Sequence, residues 1–257
     1  MSIPTYLPVS VLAGCIGTIA AVIVGLNQGL KRASWQAGER RSIVRTMAVV
    51  LVGWFALALA LAILGVYQPN SDQLPTIEFG IITPILIGGL FIWRSSTISR
   101  LIDAIPRHWV IAVQLYRAEG VTFLILYASK LLPGLFALPA GAGDIAIGLT
   151  GLIIGINAAR RGQLLARTVL RWNLFGIADL IIALATGVLT SPSPLQRFAF
   201  DRPNQLIATF PLVLIPTFLV PLAILLHIIS LTQLRRAGVR RREAAGTRAH
   251  EPGATAA

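Results

Sequence analysis

The sequence predicts an all-α integral membrane protein, built as a bundle of seven transmembrane helices. Apolar residues make up 55% of the 257 residues, and charged residues make up 12%, about half the ~25% usual in soluble domains. The apolar residues fall into segments of about 20, the length that crosses a bilayer. Basic residues recur between alternate segments. This composition excludes an ordinary soluble enzyme, a disordered chain and a disulfide scaffold.

Seven apolar segments are long enough to span a membrane. They are numbered span 1 to span 7 and cover residues 7–30, 46–67, 77–94, 109–131, 140–159, 172–190 and 206–234. The connecting segments are short, so residues 1–234 form one transmembrane domain without a separate soluble domain. Residues 235–257 form a cytoplasmic tail that is first basic and then, over 244–257, rich in Ala and Gly, where we expect disorder. No basic residue precedes the first apolar run, which favours an uncleaved first helix over a signal peptide.

The basic residues predict the direction of the spans. Eighteen of the 22 Lys and Arg residues lie in 31–45, 94–108, 160–171 or the tail, which all fall on one side of a seven-span bundle. Because loops rich in Lys and Arg stay in the cytoplasm, we expect the N-terminus outside and the C-terminus inside, in a cell (inner) membrane. This placement explains the net charge of +12 without a nucleic-acid partner. The basic tail also favours contact with anionic lipid at the cytoplasmic face.

Spans 1–3 and spans 5–7 share landmarks in Gly and Pro. Gly25 and Asn27 near the end of span 1 correspond to Gly155 and Asn157 near the end of span 5, and two adjacent basic residues follow each pair. One interpretation is a parallel 3+1+3 internal repeat, with span 4 as the linker, of a kind that occurs in transporters. The alternative is chance similarity, because Gly-rich apolar segments align easily.

Prolines inside spans 3 and 7 are candidate hinges. They are Pro84, Pro211, Pro216 and Pro221. Each proline removes a backbone N–H, and lipid cannot satisfy the carbonyl that is left without a donor. The functional interpretation is a hinge or broken helix beside a cavity. The alternative is a static kink filled by neighbouring side chains.

Six ionisable residues lie inside the predicted spans, where a charge at the bilayer centre costs roughly 2.5–3.5 kcal/mol. These candidates for substrate or ion binding are Arg117, Glu119, Asp179, His227, Asp144 and Glu78. At about 1.5 Å per residue, the first four lie about 10–15 Å from the cytoplasmic ends of their spans, slightly inward of the midplane. The last two lie about 22–24 Å from those ends, toward the outer side.

Sequence stripes indicate that these side chains face the interior of the bundle. Asp144 shares one stripe of its helix with three glycines, which allow another helix to approach closely. Asp179 lies on a similar stripe of small and polar residues in span 6. We therefore predict that Arg117 pairs with Asp179 inside the bundle, or with Glu119 through a neighbouring group.

Each candidate also has a plainer interpretation. Arg117 with one carboxylate would be a structural ion pair that fixes the register of two helices. Asp144 follows a Gly-rich stretch and would favour a helix N-terminus. Glu78 would reach the outer interface, and His227 would be a hydrogen-bonded residue of the bundle.

Known motifs point to no catalytic residue, cofactor or metal. Residues 141–146 match G-x-G-x-x-A but lack the βαβ context of a dinucleotide site. Walker A, H-E-x-x-H, C-x-x-C and G-x-S-x-G motifs are absent. His108 and His227 fall at different depths, which argues against a haem between them, and span 7 has no lysine to hold retinal. Cys15 is the single cysteine, so the chain forms no internal disulfide.

Two connecting segments have apolar residues that suit the membrane surface. In residues 98–105, apolar side chains recur at helical spacing, which predicts a short interfacial helix leading into span 4. Leu195, Phe198 and Phe200 lie in the loop before span 7. That loop either covers an outer entrance or anchors the chain at the surface.

The spans and their buried charges point first to a transporter, for a small molecule or coupled to an ion, with a polar site near the midplane. In that case Arg117 would hold an anionic group or a carboxylate, and Asp179 would bind a proton or cation. The second hypothesis is a membrane-embedded enzyme acting on a lipid or isoprenoid. The third is a non-catalytic receptor or accessory subunit. The sequence names neither the substrate nor the oligomeric state.

Overall fold

The computed structural model describes residues 4–72, 74–161 and 166–249, with side chains as far as residue 239. None of these residues lies in a β-strand. Seven helices of the described chain are long and apolar enough to cross a membrane, which supports a multi-pass membrane protein. They keep the names span 1 to span 7 and cover Tyr6–Arg32, Ala37–Ile63, Ile77–Arg94, Arg107–Ala128, Gly134–Arg161, Ala166–Thr190 and Ile215–Val239.

The two ends of the bundle differ in charge. Span 1 ends at Arg32, span 3 at Arg94 and span 5 at Arg161, and we call this end the basic end. The other end, where the loops after spans 2, 4 and 6 lie, is called the opposite end. The internal repeat and the direction of the chain across the membrane stay predictions.

Span 2 extends nine residues beyond its predicted start at 46, because residues 37–45 contain Ala, Glu and Arg, which favour helix. It ends at Ile63, and Gly65 follows two residues later with a φ of 70°, which is readily adopted only by glycine. The N–H of Gly65 donates to Ala62 O at 3.2 Å, and the N–H of Val66 donates to Leu61 O at 3.1 Å. This Schellman arrangement stops the helix before residue 67, the predicted end.

The sequence predicted span 4 as one continuous helix, and the structure divides it into three segments. It consists of an α-helix over Arg107–Ala112, a 3₁₀-helix over Val113–Gly120 and an α-helix over Val121–Ala128. A 3₁₀ stretch of eight residues is unusual, since such runs seldom exceed three or four residues. Residues three apart share a face in a 3₁₀-helix, and the buried residues Gln114, Arg117 and Gly120 have this spacing.

Span 5 begins at Gly134, directly after Pro133, and not at residue 140. Pro133 suits a helix start because no helical partner is needed for its missing N–H. The earlier start places Asp144 ten residues inside the helix. It also puts Pro139 within the helix, a proline that the sequence analysis did not single out.

Span 7 is irregular at its start. A short 3₁₀-helix covers Leu206–Ala208, a π-helical turn covers Ile215–Leu219, and a regular α-helix follows over Val220–Ala249. The predicted span start at 206 was therefore too early. The π turn contains Pro216, which cannot donate a hydrogen bond and so disturbs regular α-helical bonding.

The last helix continues into the predicted tail. It runs to Ala249, so residues 244–249 are helical where we expected disorder. Most residues after 234 are Arg, Ala or Glu, which favour helix strongly enough to extend it. Residues 250–257, the rest of the predicted disordered segment, lie outside the described residues.

The short helix predicted before span 4 is present over Ser96–Ala104, and its position at the membrane surface stays a prediction. Ser95 caps its start by accepting a hydrogen bond from the N–H of Ile98 at 3.2 Å. Gln233 of span 7 caps its end, because the side-chain amide donates to Ile102 O at 2.6 Å and Ile105 O at 2.8 Å. The short helix is thereby fixed to the basic end of span 7.

Span 7 forms the centre of the bundle. Two thirds of its apolar stretch (67%) is buried inside the protein, against 6% for span 3. The ring of Phe218 packs edge-on against Trp54 and Phe55 of span 2, at centroid distances of 4.8 and 5.3 Å. Phe79 and Trp93 of span 3 remain exposed, as expected for side chains that face lipid.

Glycines bring span 5 against span 4. A Cβ on Gly148 would lie 2.8 Å from Ala118 N, and a Cβ on Gly155 would lie 2.8 Å from His108 O. Both neighbours are backbone atoms, so only glycine allows this approach. The glycine stripe predicted from the sequence therefore faces the helix that carries Arg117.

Candidate functional site

Arg117 is the centre of a buried ion cluster in which four spans meet. Its side chain is 2% exposed, and its Nε donates to Asp144 Oδ1 of span 5 at 2.7 Å. Its Nη2 donates to Asp179 Oδ2 of span 6. Its Nη1 faces His227 Nε2 of span 7 at 3.2 Å and Gly176 O at 3.4 Å. We call Arg117, Asp144, Asp179 and His227 the Arg117 cluster.

The cluster lies near the middle of the bundle. Each of its four residues lies ten to twelve residues from the nearer end of its span, or about 15–18 Å along the helix. The predicted pair of Arg117 and Asp179 is present. Asp144 was expected nearer the outer side, and it instead joins the same layer because span 5 begins six residues earlier than predicted.

The charges of the cluster are unequal. Two carboxylates meet one guanidinium, so full ionisation leaves an excess of one negative charge beside neutral His227. Within the described residues, Asp144 Oδ2 and Asp179 Oδ1 accept no hydrogen bond. A buried charge is costly unless it is paired. The cluster can therefore accept one further proton or small cation.

Hydrogen-bond directions fix the form of His227. Arg117 Nη1 can only donate, so His227 Nε2 accepts from it. His227 Nδ1 then carries the proton and donates to Asn173 Oδ1 at 2.9 Å. Asn173 Nδ2 in turn donates to Ser230 Oγ at 2.9 Å and to Val169 O at 2.8 Å. This chain of donors requires a neutral imidazole.

Small residues make room for the cluster. A Cβ on Gly176 would overlap the imidazole of His227, and a Cβ on Gly143 would overlap the carboxylate of Asp179. A Cβ on Gly120 would lie 2.6 Å from Asp144 Cβ. These glycines let three spans bring polar side chains to one point.

Three cavities are lined by residues of the described spans and their loops. The opposite-end cavity has a volume of about 60 Å³ and is lined by Asp144, Glu78 and Tyr67 among apolar residues. A smaller cavity of about 20 Å³ touches Arg117, Asp144 and Glu119. The basic-end cavity, of about 270 Å³, is lined by Ser230 and Arg107 among others.

Glu119 and Glu78 do not belong to the Arg117 cluster. Glu119 points to span 1, where a Cβ on Gly14 would overlap its carboxylate. No hydrogen bond joins it to Arg117 within the described residues, so the alternative pairing is not seen. Both carboxylate oxygens of Glu78 are buried without a hydrogen-bond partner in the described part of the chain.

The candidate hinges fall at different places. Pro84 lies inside the α-helix of span 3, and Pro216 lies inside the π turn of span 7. Pro221 is the second residue of the α-helix that follows this turn, and Pro211 precedes span 7. The irregular backbone is therefore concentrated at the start of span 7.

Sequence reasoning missed Asn173 and Ser230. Asn173, Gly176 and Asp179 follow one another at steps of three residues, and Ser230 lies three residues after His227. Such spacing on a helix places side chains on one face. Examining the positions three residues before Gly176 and three residues after His227 would have found both residues.

Side chains that commonly bind metal ions do not gather in threes in the described part of the chain. Among the described residues, no three His, Cys, Asp or Glu side chains are placed to hold a metal ion. Outside the spans, burial raises the pKa of Tyr67, which lines the opposite-end cavity, above its ordinary value.

The comparisons with known proteins identify a family without a described activity. Residues 74–235 match the profile of a family described as a domain of unknown function (DUF8737). This match covers spans 3 to 6 and span 7 as far as residue 235, and it includes the whole Arg117 cluster. No curated protein and no solved structure matches the chain.

Proposed function

The chain belongs to the DUF8737 family, and we propose that it is an ion-coupled membrane transporter whose coupling site is the Arg117 cluster. The observation that carries this proposal is the double pairing of Arg117 with Asp144 and Asp179 from two different spans. A structural ion pair needs one carboxylate only. The second carboxylate gives the cluster a place for a proton or cation, and ionisable residues within membrane spans commonly mark such pathways.

A line of polar groups between two cavities supports this function. Asp144 lines the opposite-end cavity, and Ser230 lines the basic-end cavity. Between them, each of Arg117, His227 and Asn173 is hydrogen bonded to the next. A transport site must be reachable from each side of the membrane in turn. In this protein each of the two cavities is lined by one residue of the same hydrogen-bonded series of polar side chains.

Two irregular helix segments next to the cluster provide a means of movement. The 3₁₀ segment of span 4 and the start of span 7 are joined by Tyr116 Oη, which donates to Leu219 O at 3.0 Å. Gln114 Nε2 also donates to Ala223 O at 3.3 Å. Irregular backbone within a membrane is tolerated where protein or cavity water satisfies it. Rewinding of the 3₁₀ segment would turn Arg117 and change its contacts.

The basic end belongs in the cytoplasm in this proposal, with the N-terminus outside and the C-terminus inside a cell (inner) membrane. Arg236 near the end of span 7 contacts Asp103 at 3.3 Å and Ser99 Oγ at 2.8 Å. In this proposal the excess of positive charge at this end attracts anionic lipid. The substrate is a small molecule, and the oligomeric state is open.

The proposal is tested by charge movement in reconstituted vesicles. Proteoliposomes on a solid-supported membrane are exposed to a panel of amines, amino acids, sugars and carboxylates, and the transient current is recorded. We expect at least one class to give a current that Asp179→Asn abolishes. The matched control is Asp72→Asn, which makes the same change at an exposed loop residue.

Two results would contradict the proposal. One is the absence of a current for every class with intact protein. The other is an equal current in Asp179→Asn and in the control. Size-exclusion chromatography and helical circular dichroism establish beforehand that each variant is folded.

A further inference from the structure

The opposite-end cavity has the walls of a small-molecule site. It lies between spans 3 to 7, and most of its lining is apolar, including Ile81, Phe123, Phe136, Leu180 and Ile207. Its volume of about 60 Å³ is enough for several water molecules or a small organic group. A mostly apolar cavity with a few polar groups is typical of sites that bind small molecules.

The charges of this cavity have one sign. Glu78 and Asp144 are its two ionisable carboxyl groups, and none of the described residues that line it is Lys, Arg or His. Asp144 already gives one oxygen to Arg117. Glu78 gives neither oxygen to a protein partner in the described part of the chain. An anionic ligand would therefore meet repulsion, and Glu78 offers an unused acceptor.

The buried oxygens of Glu78 need a partner. Both are shielded from solvent and accept no hydrogen bond from a described residue. A buried polar group without a hydrogen bond costs about 1–3 kcal/mol, and more when it is charged. A cationic ligand that donates hydrogen bonds would remove this cost.

The remaining walls suit the apolar part of such a ligand. Phe123 and Phe136 pack edge-to-face with their ring centroids 5.3 Å apart. Aromatic rings attract an organic cation as well as its hydrocarbon part. Tyr67 and Ser191 also line the cavity, and a hydroxyl group can accept a hydrogen bond.

We propose that the opposite-end cavity binds a small organic cation, with its ammonium group at Glu78 and its apolar part against Phe123 and Phe136. This inference rests on the proposed function, because it names the substrate class of the transporter. It places the cation next to Asp144, which belongs to the Arg117 cluster. Binding of the substrate and the ionic state of the cluster are then linked through this one carboxylate.

The binding test uses three probes of similar size and different charge. They are phenethylammonium, neutral 2-phenylethanol and anionic 3-phenylpropionate, measured by equilibrium dialysis against the purified full-length protein in a neutral detergent. We expect phenethylammonium to bind at least tenfold more tightly than the alcohol, and the carboxylate not to bind. Equal binding of the three probes, tighter binding of the anion, or no binding of the cation would each overturn the inference.

Variants locate the bound probe. Glu78→Gln keeps the shape of the side chain and removes its charge, and we expect it to weaken phenethylammonium binding at least tenfold. Ala183→Leu adds bulk to the cavity wall and should weaken the cation and the alcohol alike. Asp72→Asn, at an exposed residue of the same end, should change neither. Unchanged cation binding in folded Glu78→Gln or in folded Ala183→Leu would place the probe elsewhere and overturn the inference.

Binding in detergent separates this inference from the proposed function. The dialysis experiment needs no second compartment, so it does not depend on transport. If phenethylammonium binds at Glu78 but no compound moves charge in vesicles, the cavity assignment holds and the transporter proposal fails. If another class of compound moves charge and phenethylammonium does not bind, the transporter proposal holds and the cavity assignment fails.

Discussion

Arg117 is held by more partners than an arginine in an isolated ion pair. Its three nitrogens point to three different spans, and its side chain is only 2% exposed. Removing the guanidinium leaves two buried carboxylates facing each other. The residue therefore fixes the positions of spans 5, 6 and 7 around span 4, in addition to any role in transport.

Loss of Arg117 should destabilise the protein strongly. Breaking a buried ion pair by removing one partner typically costs about 3–5 kcal/mol, and we expect Arg117→Ala to fall in this range. The free energy of unfolding is measured by denaturant titration in micelles. Arg197→Ala, at an exposed loop residue, should change it by less than about 0.5 kcal/mol.

A variant without any of the three charges tests whether unpaired charge causes this loss of stability. Arg117→Met combined with Asp144→Asn and Asp179→Asn removes all three charges together. We expect this triple variant to be more stable than Arg117→Ala, since no unpaired charge is left inside. A triple variant that is less stable than the single one would contradict the charge-based account.

The protonation form of His227 can be observed directly. The donors and acceptors around it require a neutral ring with the proton on Nδ1. Nitrogen NMR of histidine-labelled protein at neutral pH should show this form, and His227→Gln should remove the signal. An imidazolium, or a neutral ring with its proton on Nε2, would show that the hydrogen-bond chain runs differently.

At the scale of the helices, the contact between spans 4 and 5 depends on glycine. A Cβ on Gly148 would lie 2.8 Å from Ala118 N and 3.2 Å from Leu115 O, both of which are backbone atoms. Backbone cannot rotate away as a side chain can. The 3₁₀ segment that carries Arg117 is therefore supported by the flat surface of span 5.

Gly148→Ala should consequently destabilise the bundle. Overpacking typically costs about 1–3 kcal/mol, which exceeds the roughly 0.5–1 kcal/mol that alanine gains over glycine in a helix. The matched control is Gly53→Ala in span 2, where nothing lies within 4 Å of the added Cβ. Thermal unfolding should show a lower midpoint for Gly148→Ala and an equal or higher one for the control. Equal midpoints in both variants would mean that span 4 moves without cost.

The sequence predicted the helices better than their irregularities. Long apolar runs are sufficient to predict seven spans, and the need to pair buried charges predicted the contact of Arg117 with Asp179. Asp144 was misplaced in depth because apolar composition does not show that the helix begins at Gly134, directly after Pro133. The 3₁₀ winding of span 4 depends on contacts with spans 5 and 7, which no local pattern contains.

At the scale of the whole molecule, the distribution of arginine predicts how the protein sits in its membrane. Ser42 lies near the basic end and Ser71 lies in the loop after span 2, and both are exposed. The native Cys15 is buried, so it gives little background in a labelling experiment. These positions allow the direction of the chain to be measured.

In intact cells, Ser71→Cys should react with a thiol reagent that does not cross membranes, and Ser42→Cys should not. After permeabilisation both should react. This result follows if the basic end is cytoplasmic. The reverse pattern in intact cells would show that the bundle is inserted the other way.

The central claim, that the Arg117 cluster couples transport to an ion, is tested most directly by uptake under imposed ion gradients. Vesicles take up the compound that gives the largest current, with no gradient, with a proton gradient and with a sodium gradient. We predict that one gradient accelerates uptake by the intact protein and by Asp72→Asn, and that Asp179→Asn has lost this response. Uptake by the intact protein that is equal under all three conditions would contradict the claim.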